Sequence, residues 1–223
     1  MEKLKKWANH VLIDGLSGMA QGLFATLIIG TIIQQIGTFA GGDLGNLIFL
    51  TGKVAAAMTG AGIGVGVACR FQAPPLVVIS AAIAGMSGAF ASQILNGTVL
   101  MEGAIVLSGP GEPLGAFLAA YVGIEIGKLV SGKTKVDILV TPLIVIGSGA
   151  CVGLTVGPPI SAFMQWLGSL INWGTEQQPL LMGIIVSVLM GMILTLPISS
   201  AALGVILNLS GLAAGAATVG CCC

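Results

Sequence analysis

Charged side chains are scarce in this sequence: only 7% of its 223 residues are Asp, Glu, Lys or Arg. Soluble domains carry roughly 25% charged residues, so eight acidic and eight basic side chains are too few to cover a water-soluble globule of this length. Hydrophobic residues make up 56% of the chain, and its mean hydropathy is +1.06. The sequence therefore predicts an integral membrane protein.

The same composition excludes several other classes of protein. The formal net charge is zero, so there is no basic surface for a nucleic acid. The hydrophobicity excludes intrinsic disorder, and the chain lacks the short alternating segments of an outer-membrane barrel. An all-α bundle of transmembrane helices remains, and the length allows roughly six to eight crossings.

Residues for covalent or metal chemistry are also few. His10 is the single histidine, and no nucleophile–base pair, metal-spaced cluster or P-loop can be assembled from the sequence. The five cysteines are predicted to be packing residues, because a free thiol behaves as a small hydrophobic group. The sequence thus predicts no catalytic residue, no metal and no cofactor, and leaves open whether the protein takes part in an enzymatic complex.

Long apolar runs are what the chain has in abundance. Seven of them are long enough to predict transmembrane spans, at about residues 15–39, 44–69, 76–95, 114–130, 138–156, 180–196 and 201–223. Thr98–Leu107, around Glu102, is too short to cross and is predicted to be re-entrant or interfacial. Ile160–Trp173 is predicted to lie in the membrane interface. One transmembrane domain, 1–223, is expected, and because the last run has no polar anchor after it, the protein is expected to continue beyond Cys223.

The basic residues predict how the helices are oriented. With the N-terminus in the cytoplasm, Lys3, Lys5 and Lys6 lie on the same side as Arg70 after two crossings. Four crossings bring Lys128, Lys133 and Lys135 to that side as well. This arrangement satisfies the positive-inside rule, and only Lys53 departs from it.

Proline and glycine interrupt the apolar runs at four places. These are Ala73–Pro75, Gly109–Pro113, Gly157–Pro159 and Leu196–Ser200. A broken helix at membrane depth is tolerated only where it is buried in protein or lines a cavity, and transporters bind their substrates at such breaks. The alternative for each break is an ordinary connection at the membrane surface. The cavity interpretation is favoured at Gly109–Pro113, because this break contains a carboxylate.

A carboxylate inside a membrane is costly, so it indicates a functional site. Glu112 is the first candidate for substrate binding, together with the backbone of Pro110 and Gly111, and Glu102 is the second. A carboxylate can accept hydrogen bonds from two neighbouring hydroxyls, which suits a sugar. Lys53, the one cation well inside a span, is either a structural ion-pair partner or a further member of the cavity.

Two other acidic residues have simpler interpretations. Glu125 lies within one helical turn of Lys128, which predicts an intrahelical ion pair. Asp14 lies at the entry of the first span, where it is predicted to cap the helix.

Several motifs together resemble one known family. They are Leu12–Thr26 (LIDGLSGMAQGLFAT), Gly109–Pro113 (GPGEP), Tyr121–Lys128 (YVGIEIGK) running into Lys133–Asp137 (KTKVD), and Gly157–Ile160 (GPPI). On these residues the chain is similar to the enzyme IIC-like membrane family of the bacterial phosphotransferase system, whose members are also labelled putative toxin regulators. The likeness covers essentially the whole chain.

The resemblance implies a sugar permease in the bacterial inner membrane. In that system the IIC component binds a sugar and moves it across the membrane, and cytoplasmic IIA and IIB subunits relay the phosphate that modifies it. No IIA or IIB domain is attached to this chain. Family members extend beyond the point where the chain stops. The glycine-rich faces are compatible with a homodimer and equally with tight packing inside one subunit.

Two other functions stay open from the sequence. Lys53 and the ends of the broken helices favour a transporter for a small anion or ion, because helix N-termini attract anions. The second alternative is a membrane regulator or sensor that transports nothing.

Overall fold

The structure is a computed structural model that describes residues 9–101, 104–107, 109–194 and 215. The chain divides into two compact units, Met1–Pro158 and Pro159–Cys223. The first unit contains the helices before residue 137, two short strands and the start of the long helix Asp137–Gln177, and the second contains the end of that helix and the helix Pro179–Leu194. In chain order the helices are α1 (Leu16–Leu23), α2 (Ile29–Ala40), α3 (Gly42–Ala57), α4 (Thr59–Arg70), α5 (Pro75–Ala89), α6 (Ala91–Leu95), α7 (Pro113–Val130), α8 (Asp137–Gln177) and α9 (Pro179–Leu194).

Two wider turns interrupt the first long helix. π-Helical turns cover His10–Gly15 before α1 and Phe24–Ile28 between α1 and α2. Helical hydrogen bonding is nevertheless continuous, and Ile13–Ala40 is long and apolar enough to cross a membrane. This helix agrees with the first predicted span.

Glycine and proline end several helices where the sequence predicts. Gly41 and Gly42 both adopt positive φ angles, 62° and 64°, which end α2 and turn the chain into α3. Pro75 is the first residue of α5, where its missing N–H would have no helical partner anyway. The polar stretch after α7 also ends as predicted, because Asp137 accepts hydrogen bonds from Gly132 N (3.0 Å) and from Thr141 Oγ1 (2.6 Å).

The second predicted span is bent rather than continuous. α3 and α4 meet at Met58 at an angle of 53°. The Met58 N–H is shared between the carbonyls of Val54 and Ala55, each at 3.2 Å, so the last turn of α3 is tightened. Thr59 is fully buried, and its hydroxyl donates to Ala56 O at 2.6 Å. The bend therefore depends on backbone and hydroxyl contacts, with no proline involved.

The third predicted span is also divided, because α5 ends at Ala89 and the short α6 begins at Ala91. After it, Leu100–Met101 (β1) and Ala104–Ile105 (β2) pair in an antiparallel ladder, with Leu100 opposite Ile105. These two strands lie in the segment that the sequence predicts to be re-entrant or interfacial.

The predicted break at Gly157–Pro159 is wrong. Helical structure runs through both prolines, from Asp137 to Gln177, and includes the segment that was predicted to be a separate interfacial helix. A proline removes one helical hydrogen bond. In an apolar environment the other backbone groups have no water as an alternative partner, so they keep their helical hydrogen bonds and the helix continues.

Glycines allow the helices of the first unit to pack closely. A Cβ on Gly18 of α1 would lie 2.7 Å from Gly66 O of α4, and a Cβ on Gly30 of α2 would lie 2.9 Å from Gly52 O of α3. α4 contacts α5 and α7, and α5 also contacts α7. Fully buried apolar side chains lie among these helices, including Leu23, Ile63, Val67, Val77, Phe90, Ile124 and Val145. The glycines between Gly60 and Gly66 therefore allow α4 to pack closely on its neighbours.

The polytopic helical class is confirmed. Among the described residues, three helices are long and apolar enough to cross a membrane, Ile13–Ala40, Pro113–Val130 and Asp137–Phe163, and a fourth span results if α3 and α4 count as one. α5 is apolar but shorter. The seventh predicted run, at 201–223, lies outside the described residues apart from Gly215.

Candidate functional site

Glu112 lies at a break in the helical structure, immediately before the first residue of α7. Its backbone is extended (φ −93°, ψ 111°), because a residue that precedes a proline is disfavoured in the helical region. Its N–H donates to Ala89 O, the end of α5, at 2.7 Å. The Oε1 atom of Glu112 is buried. Glu112 is half-buried as a residue, and this oxygen is held inside the protein at the N-terminus of a helix.

Gly111 determines how closely this break approaches α5. Its φ is +75°, and a Cβ on it would lie 2.8 Å from Ala89 Cβ and 2.9 Å from Ala89 O. Both the conformation and the space require a glycine. Gly109 also has a positive φ (79°), and the half-buried Pro110 lies between the two glycines. The predicted break at Gly109–Pro113 is confirmed as a loop that packs on the end of α5.

Other helix irregularities lie close to this loop. Ala89 is followed by Phe90, where α5 ends, and a Cβ on Gly60, next to the Met58 bend, would lie 2.7 Å from Ala89 Cβ. Gly62 of the same helix faces Thr26, inside the π-helical turn Phe24–Ile28. Four interruptions of helices therefore lie next to one another and are joined by direct contacts. They are Phe24–Ile28, Met58, Phe90 and Gly109–Pro113, which we call the Glu112 loop.

The other predicted site residues have different positions. Lys53 is exposed on α3, with its Nζ atom 5.7 Å from the ring centroid of Phe49 on the same helix. α3 packs mainly along α2, whereas the Glu112 loop packs on α5. Glu102 lies outside the described residues. The structure therefore describes Glu112, Gly111 and Pro110 together, and Lys53 on a different pair of helices.

A second polar group lies at the other end of α7. We call it the charged cluster, and it consists of His10, Asp14, Arg70, Glu125 and Lys128. Glu125 Oε1 lies 3.3 Å from Lys128 Nζ and 3.5 Å from His10 Nε2, and Arg70 Nε lies 3.6 Å from Asp14 Oδ1. His10 Nδ1 lies 3.8 Å from Asp14 Oδ2. The cluster joins the first helix, α4 and α7.

Sequence reasoning found the members of this cluster but did not group them. The intrahelical pair of Glu125 and Lys128 is confirmed. The predicted capping role of Asp14 is wrong: the residue lies within a helical turn that has begun by His10, and its carboxylate contacts Arg70 instead. The count of crossings had placed Arg70 and Lys128 at the same end as the N-terminus. That count was the available signal that these residues meet.

Two aromatic rings and a cavity complete this end of the unit. The His10 ring stacks on Phe71 with centroids 4.0 Å apart, and Lys128 Nζ lies 4.7 Å from the Phe71 centroid. Tyr121 packs edge-on against Phe71. A cavity of about 390 Å³ is lined by His10, Asp14, Arg70, Phe71 and Gln72. Among the described residues, no group of His, Cys, Asp and Glu has the arrangement of a metal site.

Comparison with protein families decides the class of this membrane protein. A family model described as "Phosphotransferase system, EIIC" matches residues 13–223, nearly the whole chain. The chain belongs to this family. Comparison with curated proteins and with solved structures returned no significant match.

Membership in the EIIC family establishes the coarse function. The protein is an integral membrane permease component of the phosphotransferase type. The EIIC family in general has a sugar as substrate and works with IIA and IIB partner subunits. The match begins at Ile13, so it contains Asp14, Arg70, Glu125 and Lys128 of the charged cluster as well as the Glu112 loop.

Proposed function

We propose that this EIIC protein binds and translocates a sugar at a cavity beside Glu112. Glu112, with one carboxylate oxygen buried, carries this proposal, because a carboxylate inside a membrane protein indicates a function. Gly111 and Pro110 supply backbone groups next to it, and Glu102 and Lys53 are proposed as further contributors. A sugar fits better than an anion here, because the helix N-terminus is already next to a negatively charged group.

The depth of Glu112 supports this position for a solute site. An α-helix rises about 1.5 Å per residue, so Glu112 lies about 20 Å along α7 from Glu125. A bilayer has a hydrocarbon core of about 30 Å. If the charged cluster lies at one membrane surface, Glu112 lies inside the hydrocarbon layer, beyond its middle. A break in the helix at this depth is tolerated where it lines a cavity.

The cellular setting follows from the same proposal. The charged cluster and the lysines after α7 face the cytoplasm of a bacterium, with the N-terminus on that side of the inner membrane. The sugar is released there to cytoplasmic IIA and IIB subunits, which phosphorylate it. A homodimer is compatible with the glycine-rich faces.

Ligand-dependent unfolding of the purified protein tests the proposal. Sugars, sugar alcohols and small anions are screened for a rise in unfolding temperature, since a ligand at one hundred times its Kd adds about 2.7 kcal/mol to the free energy of unfolding. We expect a sugar to stabilise the wild type and to lose this effect in Glu112→Gln. Glu176→Gln, which removes an exposed carboxylate of α8, is the matched control and is expected to keep it.

The possible outcomes separate the functions. A Glu112→Gln protein that unfolds at the wild-type temperature without ligand but still binds the sugar contradicts the proposed site. Stabilisation by anions alone favours the non-sugar transporter. No stabilisation by any compound favours a membrane regulator. If Glu112→Gln unfolds early, Glu112→Asp retains the charge and shows whether its position matters for binding.

A further inference from the structure

The charged cluster connects three helices that are far apart in the sequence. Two contacts cross between helices: His10 to Glu125, at 3.5 Å, and Asp14 to Arg70, at 3.6 Å. The pair of Glu125 and Lys128 and the pair of His10 and Asp14 each lie within one helix. The two carboxylates therefore link the start of the first helix to the ends of α4 and α7.

Phe71 contacts two members of the cluster, His10 and Lys128. It is 6% exposed, and it contacts the His10 ring at 4.0 Å and the Lys128 ammonium at 4.7 Å between ring or charge centres. Stacking and cation–π contacts of this kind hold both side chains near Glu125. A buried ring thus fixes the geometry of polar groups that are themselves half-exposed.

The exposure of the charged groups suits contacts that form and break. The side chains of the five residues are between 26% and 45% exposed. Ion pairs with this access to water contribute little individually, so a modest change can open them. Such contacts are better suited to a conformational switch than to permanent bracing of the fold.

We propose that the charged cluster is a latch that closes the end of the solute path opposite the Glu112 loop. Glu112 directly precedes α7 and Glu125 lies near the end of α7, so opening the latch releases the helix that begins at the proposed solute site. The proposal rests on the proposed function in this one respect. The existence of the latch itself depends only on the contacts between the helices.

His10 lies between the two carboxylates of the cluster. Its Nδ1 is 3.8 Å from Asp14 Oδ2 and its Nε2 is 3.5 Å from Glu125 Oε1. The ring therefore connects the pair of Asp14 and Arg70 to the pair of Glu125 and Lys128, so we expect the two pairs to open together.

Hydrogen exchange measured by mass spectrometry tests the latch without a transport assay. The full-length protein in lipid nanodiscs is compared with His10→Gln, Glu125→Gln and the double variant. We expect Glu125→Gln to speed exchange of peptides covering 10–16 and 68–73 by about fivefold, and the double variant to add little more. Glu176→Gln is the matched control with unchanged exchange in these peptides.

A charge swap completes the experiment. Asp14→Lys and Arg70→Glu alone are expected to speed exchange, and the two together to restore part of the protection. Additive effects of His10→Gln and Glu125→Gln, or no rescue by the swap, would each overturn the latch.

The result is separable from that of the sugar proposal. Non-additive effects of His10→Gln and Glu125→Gln on hydrogen exchange support the latch even if no solute binds at Glu112. Conversely, sugar binding that depends on Glu112 stands even if the two residues prove independent. If both hold, uptake into proteoliposomes should become faster or slower in Glu125→Gln while the sugar affinity stays at the wild-type value.

Discussion

At the residue scale, Gly111 offers a clean test of the packing around Glu112. Gly111→Ala would place a Cβ against Ala89, in a backbone conformation with φ +75°. Gly132 has almost the same φ, +78°, but nothing within 4 Å of its Cβ position. Gly132→Ala therefore measures the conformational cost alone, about 1 kcal/mol, and the difference between the variants measures the steric cost.

We expect Gly111→Ala to lower the free energy of unfolding by about 1–3 kcal/mol more than Gly132→Ala does, which is the range for overpacking a close-packed site. Unfolding in detergent, followed by circular dichroism, provides the measurement. Equal effects of the two substitutions would show that the Glu112 loop does not pack tightly on the end of α5.

At the element scale, glycine determines which helices can approach each other. A Cβ on Gly22 of α1 would clash with the backbone carbonyl of Gly62 on α4, which cannot move aside without the helix. Gly147 of α8 is also helical, but its Cβ position is open. The two residues form a matched pair, because both exchanges to alanine carry the same gain in helix propensity.

Gly22→Ala is expected to destabilise the protein by about 2 kcal/mol or more, or to prevent its folding, because α1 must shift away from α4. Gly147→Ala is expected to be neutral or to stabilise by up to about 1 kcal/mol. The yield of monodisperse protein and its unfolding temperature report both effects. A Gly22→Ala protein as stable as the wild type would contradict the close contact of α1 and α4.

The sequence predicts helix boundaries well where the signal is local. Gly41 and Gly42, Pro75 and the Gly109–Pro113 loop all change direction through restrictions on their own backbone. The bend at Met58 and the π-helical turn Phe24–Ile28 have no such signal, because neither contains a proline or a glycine with positive φ. Pro158 and Pro159 give the opposite error: their local signal predicts a break, but the helix continues.

Some features of the candidate site can also be predicted from local sequence, and others cannot. That Glu112 precedes a helix at a break could be predicted from GPGEP, since proline favours the first helical position. Its backbone hydrogen bond to Ala89 could not, because the partner lies on another helix. The contact of His10 with Glu125 joins residues that are more than 100 positions apart. Charge counting predicts only that both lie at the same end.

At the scale of the whole molecule, the basic residues are concentrated at one end of the first unit. Arg70, at the end of α4, and Lys128, near the end of α7, both belong to the charged cluster, and the exposed Lys133 and Lys135 follow α7 in the chain. The turn between α2 and α3, which includes the exposed Asp43, lies at the far end of the helices that lead away from this cluster. The positive-inside rule therefore predicts that Lys133 faces the cytoplasm and Asp43 the exterior.

Labelling of single cysteines tests this orientation. Lys133→Cys and Asp43→Cys are made in a background whose native cysteines are replaced by serine, and cells are treated with a membrane-impermeant maleimide. We expect Asp43→Cys to react in intact cells and Lys133→Cys to react only after the membrane is permeabilised. The cysteine-free background must stay unlabelled. The reverse pattern would place the charged cluster outside, and the proposed release of sugar to cytoplasmic subunits at that end would then be wrong.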